Sequence, residues 1–302
     1  MNPCTRFLIT VLIFALISPI QARPKFNPEP YYASEKNINV QGINLVYLDE
    51  GNGKPVLLIH GYCGNAYNWE DVFDELSRNF RVIVPDLPGF GKSACPDKSE
   101  KTTMIWYANL LAEFLDEINV SQAVVVGNSM GGSIAGWLAI LHPEKVEKLV
   151  LVDSAGLKGS LLDFVKGFAE ITAPKMFIPL LHFIFPVNEK ALAKLPQSEQ
   201  NRVKLAEERY RSDLRDCSAR VMKYSIVSLA TDYTEDHLNK IQSPTLIIWG
   251  SNDDLLPVRT AEKFHQKIKG SQIRIIQDGV HTPMQWKPEE FISILRDFIY
   301  MD

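Results

Sequence analysis

Apolar and polar residues change their period several times along this chain, and each change marks an element. Residues 38–48 alternate around Gly42, the period-two pattern of a β-hairpin. A Gly-Asn-Gly turn follows, and then a continuous apolar run at 56–59 predicts a buried strand ending at His60-Gly61. Trp69, Val72, Phe73 and Leu76 share one face of a helix over 69–78. The same reading predicts strands at 81–85, 123–126 and 148–152, and helices over 102–118 and 130–141. Strands that are apolar throughout, alternating with helices, belong to a parallel sheet covered on both faces. From 155 to 240 the strand signal stops, giving way to Pro-broken, Phe-rich helical stretches and a charged run at 199–215. The alternation resumes with a strand at 245–249, a helix at 258–269, a strand at 273–276 and a helix at 288–300.

This pattern predicts an α/β fold whose core comprises residues 37–154 and 241–302, with residues 155–240 as an inserted helical cap. In open α/β sheets the ligand site lies outside the carboxyl ends of the strands, which is where such a cap would sit. Phe164, Phe168, Phe177, Phe183 and Phe185 are candidates for an acyl pocket or for packing the cap onto the core.

The chain has 302 residues, 46% of them hydrophobic and 23% charged, which suits one α/β domain with an insertion. A net charge of -4 lacks the basic footprint of a nucleic-acid binder. The first 22 residues have the pattern of an export signal: Arg6, an apolar stretch over 7–17, Ser18-Pro19 and a cleavage position after Ala22. They predict a periplasmic or secreted protein, or a membrane-anchored one if the large Ile20 prevents cleavage. Residues 23–36 then read as an extended leader. Cys63, Cys95 and Cys217 remain outside the signal, with neither a disulfide framework nor zinc-ligand spacing. One pair or three packed thiols are equally compatible. Asn119-Val120-Ser121 is a glycosylation sequon, usable only in a eukaryotic secretory route.

Chemistry concentrates at strand ends. Gly127-Asn128-Ser129-Met130-Gly131 follows an apolar β-branched run and precedes a helical stretch, the layout of a nucleophile elbow. Ser129 at a helix N-terminus would have N–H groups and the helix dipole favouring negative charge beside it. Acyl transfer by a serine also needs a base and a carboxylate that orients it. His281, in the loop after the last strand, is the candidate base. Asp253 is the candidate acid, with its neighbour Asp254 and the strand-end Asp153 as alternatives. The backbone N–H groups of Tyr62 and Met130 are the candidate oxyanion donors. His60 would be a scaffold residue of the Tyr62 loop.

The order Ser129, Asp253, His281 together with five motifs resembles the α/β-hydrolase superfamily over roughly residues 37–298. The motifs are His60-Gly61, Asp86-Leu87-Pro88-Gly89-Phe90-Gly91-Lys92-Ser93, Gly127-Asn128-Ser129-Met130-Gly131-Gly132, Trp249-Gly250 with Asp253 and Pro257, and His281. The resemblance favours Asp253 over Asp254 and implies a mainly structural role for the loop 86–93. It departs from the family at Val280, where a glycine usually precedes the histidine. A serine at the elbow argues against epoxide or halide chemistry, for which relatives generally use aspartate. The resemblance implies an esterase or monoacylglycerol lipase-like enzyme needing neither metal nor organic cofactor, acting on a small ester or lipid, with peripheral membrane contact compatible. The alternatives are a carbon–carbon hydrolase of ring-cleavage products and a non-catalytic binding module of the same fold.

Overall fold

The computed structural model describes residues 35–98, 102–159 and 216–301. The expected signal, most of the leader and the five cap phenylalanines lie outside the described residues.

Eight strands form one sheet in the order β1-β2-β4-β3-β5-β6-β7-β8. They are β1 (Glu35–Val40), β2 (Ile43–Glu50), β3 (Pro55–Ile59), β4 (Arg81–Pro85), β5 (Ala123–Asn128), β6 (Val146–Val152), β7 (Thr245–Gly250) and β8 (Gln272–Ile276). The β1–β2 hairpin and the β2–β4 pair are antiparallel, and every later pairing is parallel. β1 begins at Glu35, two residues before the expected start of the core. Among the described residues the α-helices are α1 (Glu70–Ser77), α2 (Met104–Glu117), α3 (Met130–Leu141), α4 (Asp216–Leu229), α5 (Arg259–Lys267), α6 (Pro283–Trp286) and α7 (Pro288–Tyr300). Among the described residues no helix is long and apolar enough to cross a membrane.

The strict two-residue period of the strands divides the interior into two cores. Leu57, Ile59, Val125, Leu149, Leu151, Ile247 and Trp249 face α2, α3 and α5. Their alternates Val56, Leu58, Val124, Val126, Val150, Val152, Leu246 and Ile248 face α1 and α7. β5 therefore lies in the middle of the sheet, buried at every residue. Anything at its carboxyl end is held on both sides by β3 and β6 and cannot drift.

Helices α1 and α2 start inside the ranges expected from periodicity, and α5 starts one residue inside its own. Residues Ala66–Trp69 form a 3₁₀ turn capped by Asn65, and α1 follows it. α2 starts at Met104 because the Thr103 side chain accepts the Trp106 N–H as a cap.

The connection between β6 and β7 contains α4 and a 3₁₀ segment, Thr234–Lys240. α4 is tied to the core. Cys217 is disulfide-bonded to Cys95, in the loop after β4, with their Cα atoms 6.1 Å apart. The Ser228 hydroxyl accepts the Met104 N–H, and Tyr107 lies within hydrogen-bond distance of Ser225. Cys63 takes no part in the disulfide. The bridge closes a separation of 122 residues, so it removes considerable freedom from the unfolded chain. Cys95→Ser is expected to lower the unfolding free energy by about 2–4 kcal/mol. Urea denaturation should show that loss, and reductant should destabilise wild type but not the variant. Equal sensitivity of both to reductant would contradict the Cys95–Cys217 bridge.

Candidate active site

The site is built where β5 turns into α3. Ser129 is the residue of the turn, with φ 55° and ψ −116°. That backbone is unfavourable for a residue with a Cβ and persists only where its surroundings impose it. They do so here through backbone hydrogen bonds. Ser129 N–H donates to Val152 O at the end of β6, while its carbonyl accepts from Gly132, Ser133 and Ala155. Close approach demands glycine on either side. A Cβ at Gly127 would stand 2.2 Å from Gly131 O, and one at Gly131 would stand 2.3 Å from Ile59 O.

The loop after β3 closes the other side. A Cβ on Gly61 would lie 3.3 Å from the Ser129 Cβ, so Gly61-Tyr62 runs directly against the elbow. His60 holds this loop. Its Nδ1–H donates to Gly61 O at 2.8 Å, and its Nε2 accepts the Leu87 N–H at 3.0 Å. This pattern requires the neutral ring, because a second proton would face the Leu87 N–H. Full burial pushes the His60 pKa down to about 4. In the loop 86–93, Asp86 accepts N–H groups from Ala66 and Lys92, and Ser93 bonds both Val46 and Asp86. These side chains hold backbone in place. Tyr62 ties the same loop to α4 through its hydroxyl, which donates to Met222 O at 3.0 Å.

The third side comes from the loops after β7 and β8. His281 Nδ1 lies 2.8 Å from Asp253 Oδ2. The other oxygen of Asp253 accepts the Leu255 and Leu256 N–H groups, which fixes the carboxylate. Asp254 is exposed and makes no such contact with His281. The two loops are joined by bonds from Ser251 N to Ile276 O and from Asn252 N to Gly279 O. A Cβ on Gly250 would stand 2.5 Å from Gly279, so the glycine one place before Val280 provides the close approach. Val280 itself is buried.

Asn128 links this side to the elbow. Its Nδ2 donates to His281 O at 3.0 Å and to Val152 O at 3.2 Å. Nothing in the sequence pattern marked Asn128 beyond its place before Ser129, a polar residue at the end of an apolar run. The His281 Nε2 is buried and has no hydrogen-bond partner among the described residues. Met130 is the first residue of α3, where helical N–H groups have no partner within the helix.

Close to Asp253 and His281 stands a second carboxylate. Asp153 follows β6, is fully buried and has φ 42°. Its Oδ1 accepts the Gly250 N–H. Burial first, and the Asp253 charge second, raise its pKa well above the usual carboxylate range. One ligand-type atom from each of Asp153, Asp253 and His281 lies within 4.8 Å of the others. Within this cluster, His281 Nδ1 and Asp253 Oδ2 are hydrogen-bonded to each other.

A sequence profile of the alpha/beta hydrolase fold matches residues 54–288. Over 271 residues the chain is 31% identical to 2-hydroxy-6-oxo-6-(2'-aminophenyl)hexa-2,4-dienoic acid hydrolase of Metapseudomonas resinovorans, spanning 88% of this chain and 90% of that protein. Among solved structures it resembles a bacterial membrane phospholipase A, with 29% identity, a TM-score of 0.70, and coverage of 88% of this chain and 85% of that one. It also resembles an esterase from Thermogutta terrifontis, with 26% identity, a TM-score of 0.68, and coverage of 88% and 97%.

The His60 geometry has a consequence for stability. Unfolded, the ring takes up a proton near pH 6.5, whereas folded it resists until about 4. Between those values the unfolded state binds more protons, so stability falls as pH falls, by on the order of 3 kcal/mol in total. Above 6.5 the group contributes no pH dependence. Unfolding free energies of wild type and His60→Gln, measured at several pH values, should converge by about that amount across this window. Parallel curves would contradict the buried neutral ring.

Proposed function

The chain belongs to the α/β-hydrolase fold family, and on that premise we propose that it is a serine hydrolase cleaving carboxylic esters through an acyl-enzyme on Ser129. The observation that carries this reading is the 2.8 Å hydrogen bond between His281 Nδ1 and Asp253 Oδ2, with His281 pinned by Asn128 beside the strained Ser129 turn.

In the proposed reaction the Ser129 hydroxyl attacks the ester carbonyl while His281 Nε2 takes its proton. Asp253 keeps the other ring nitrogen protonated and so aims Nε2 at the serine. Negative charge developing on the carbonyl oxygen is met by the N–H groups of Tyr62 and Met130, fixed in place before the reaction begins. The tetrahedral intermediate collapses, the C–O bond breaks, and the alcohol leaves with the proton from His281. Water then attacks the acyl-enzyme, giving its proton to His281, and the acid departs as Ser129 regains its hydrogen.

Residues 155–240 would form the cap that selects the acyl group, and α4, within that range, is tied to the core by the Cys95–Cys217 bridge and the Ser228 and Met222 contacts. The N-terminal 22 residues would export the chain, placing it where lipid or ester substrates and a membrane surface are both at hand. Resemblance to an esterase and a phospholipase A supports the ester reading. The 31% identity to a hexadienoic acid hydrolase supports a second one, in which the same serine or an activated water cleaves a carbon–carbon bond beside a ketone. A non-catalytic role has no observation in its favour, since every proposed catalytic residue is present.

Ser129→Ala is expected to lower kcat by something on the order of 10⁶, as removal of a triad nucleophile does. A fluorophosphonate probe should label wild type and not the variant, and equal labelling of both would remove Ser129 from the mechanism. Substrate choice separates the two readings. Hydrolysis of p-nitrophenyl esters or monoacylglycerols, with none of a vinylogous 1,5-diketone acid, is the expected outcome. Turnover of the diketone alone would assign carbon–carbon hydrolysis.

A further inference from the structure

A buried carboxylate that the ester mechanism does not use stands beside the one that it does. β6 and β7 are neighbours in the sheet, so the residues following them, Asp153 and Asp253, meet at the same edge. Asp153 is completely inaccessible to solvent, and the Asp253 side chain is as well. Asp153 N–H donates to Ile248 O, and its Oδ1 accepts the Gly250 N–H, so the side chain has no freedom to turn away. Its other oxygen, Oδ2, is buried and receives no donor from the described residues. A carboxylate oxygen of Asp153 lies within 4.8 Å of one from Asp253. The neighbouring charge that acts on Asp153 among the described residues is that of Asp253, and it opposes ionisation. The remaining titratable group in the cluster is His281.

Two buried carboxylates in contact, without a cation, do not both stay ionised, because desolvation and mutual repulsion both oppose it. A proton between them removes the repulsion and converts the orphaned Oδ2 into a donor. Asp253 is the partner that must be the anion, since it accepts two backbone N–H groups and the imidazole N–H. Asp153, with a single N–H donor, is the one left to carry the proton.

We propose that Asp153 is a positioning residue that stays protonated and donates a hydrogen bond to Asp253, holding that carboxylate against His281. It touches no substrate and acts only through Asp253. The inference rests on the roles given above to Asp253 and His281. With the Leu255 and Leu256 N–H groups on one side and the Asp153 O–H on another, Asp253 would be held from several directions, so the imidazole it orients stays on line with Ser129. Because the second carboxyl is neutral, it adds no negative charge that would hold a proton on His281.

The test uses Asp153→Asn and Asp153→Ala. Asparagine reproduces the neutral acid's pattern, its amide N–H replacing the O–H and its carbonyl still accepting the Gly250 N–H, whereas alanine supplies neither. Infrared difference spectra of wild type against Asp153→Asn at neutral pH should contain one protonated-carboxyl C=O band belonging to wild type. This readout needs no catalytic activity. In ester hydrolysis, Asp153→Asn should retain kcat within several-fold and keep the acid limb of its kcat/KM profile in place. Asp153→Ala should lose on the order of 10²-fold, the scale of a misplaced catalytic group. Absence of the infrared band overturns the proposal. So does an acid limb that moves to lower pH in Asp153→Asn, because that marks the loss of a negative charge facing His281. A wild type with the band but without esterase activity would remove the functional reading and still support the protonated pair.

Discussion

The strained backbone of Ser129 is the constraint on which the rest of the site depends. A left-handed turn between β5 and α3 costs roughly 1–3 kcal/mol for a residue with a side chain. It is offset by the hydrogen bonds that Ser129 makes with Val152, Gly132, Ser133 and Ala155, each contributing about 0.5–1.5 kcal/mol net. Those partners belong to α3, to the end of β6 and to the loop that leaves it, so the turn is shaped by the middle of the sheet. The strain therefore sits where the surroundings are stiffest. It places the serine at a helix N-terminus with the Gly61-Tyr62 loop in contact with it.

Every other part of the site is fastened to this turn or to the strand ends beside it. His60 fastens the loop after β3 by using both ring nitrogens on backbone. Asn128 fastens the loop after β8 by bonding His281 O and Val152 O together. Gly250 and Gly279 let the loops after β7 and β8 approach closely enough for Asp253 and His281 to meet. The buried polar groups at this edge thus serve two purposes. They satisfy backbone groups that water cannot reach, and they remove the freedom that the proposed catalysis by positioned groups could not tolerate. Asp153 extends the same logic one layer further from the serine.

Much of this arrangement was readable from the chain, and what was not has physical causes. β5 and α3 were visible because a β-branched apolar run and a twelve-residue helical stretch flank the Gly-x-Ser-x-Gly pattern without interruption. α7 was bounded by Pro288 and its apolar face, and its observed range agrees with the expected one. α6 was missed because four residues do not establish a helical period. The first residues of β1 were missed because that strand lies at the sheet's edge, exposed and polar, where alternation carries little signal. Adjacent aspartates could not be separated by spacing alone, since which of Asp253 and Asp254 turns inward is a property of the loop. The contact between Asp153 and Asp253 and the pairing of Cys95 with Cys217 were invisible for the same reason. Both join residues about a hundred positions apart through neighbouring elements, and only the topology brings them together.

The central claim is that Ser129 becomes acylated during turnover. Rapid-quench mass spectrometry with peptide mapping, on chain mixed with p-nitrophenyl butyrate, tests it directly. One butyryl group is expected on the peptide that carries Ser129, formed as p-nitrophenol is released and lost when substrate is exhausted. Release of p-nitrophenol with no acylated peptide, or with the butyryl group on another residue, would contradict it.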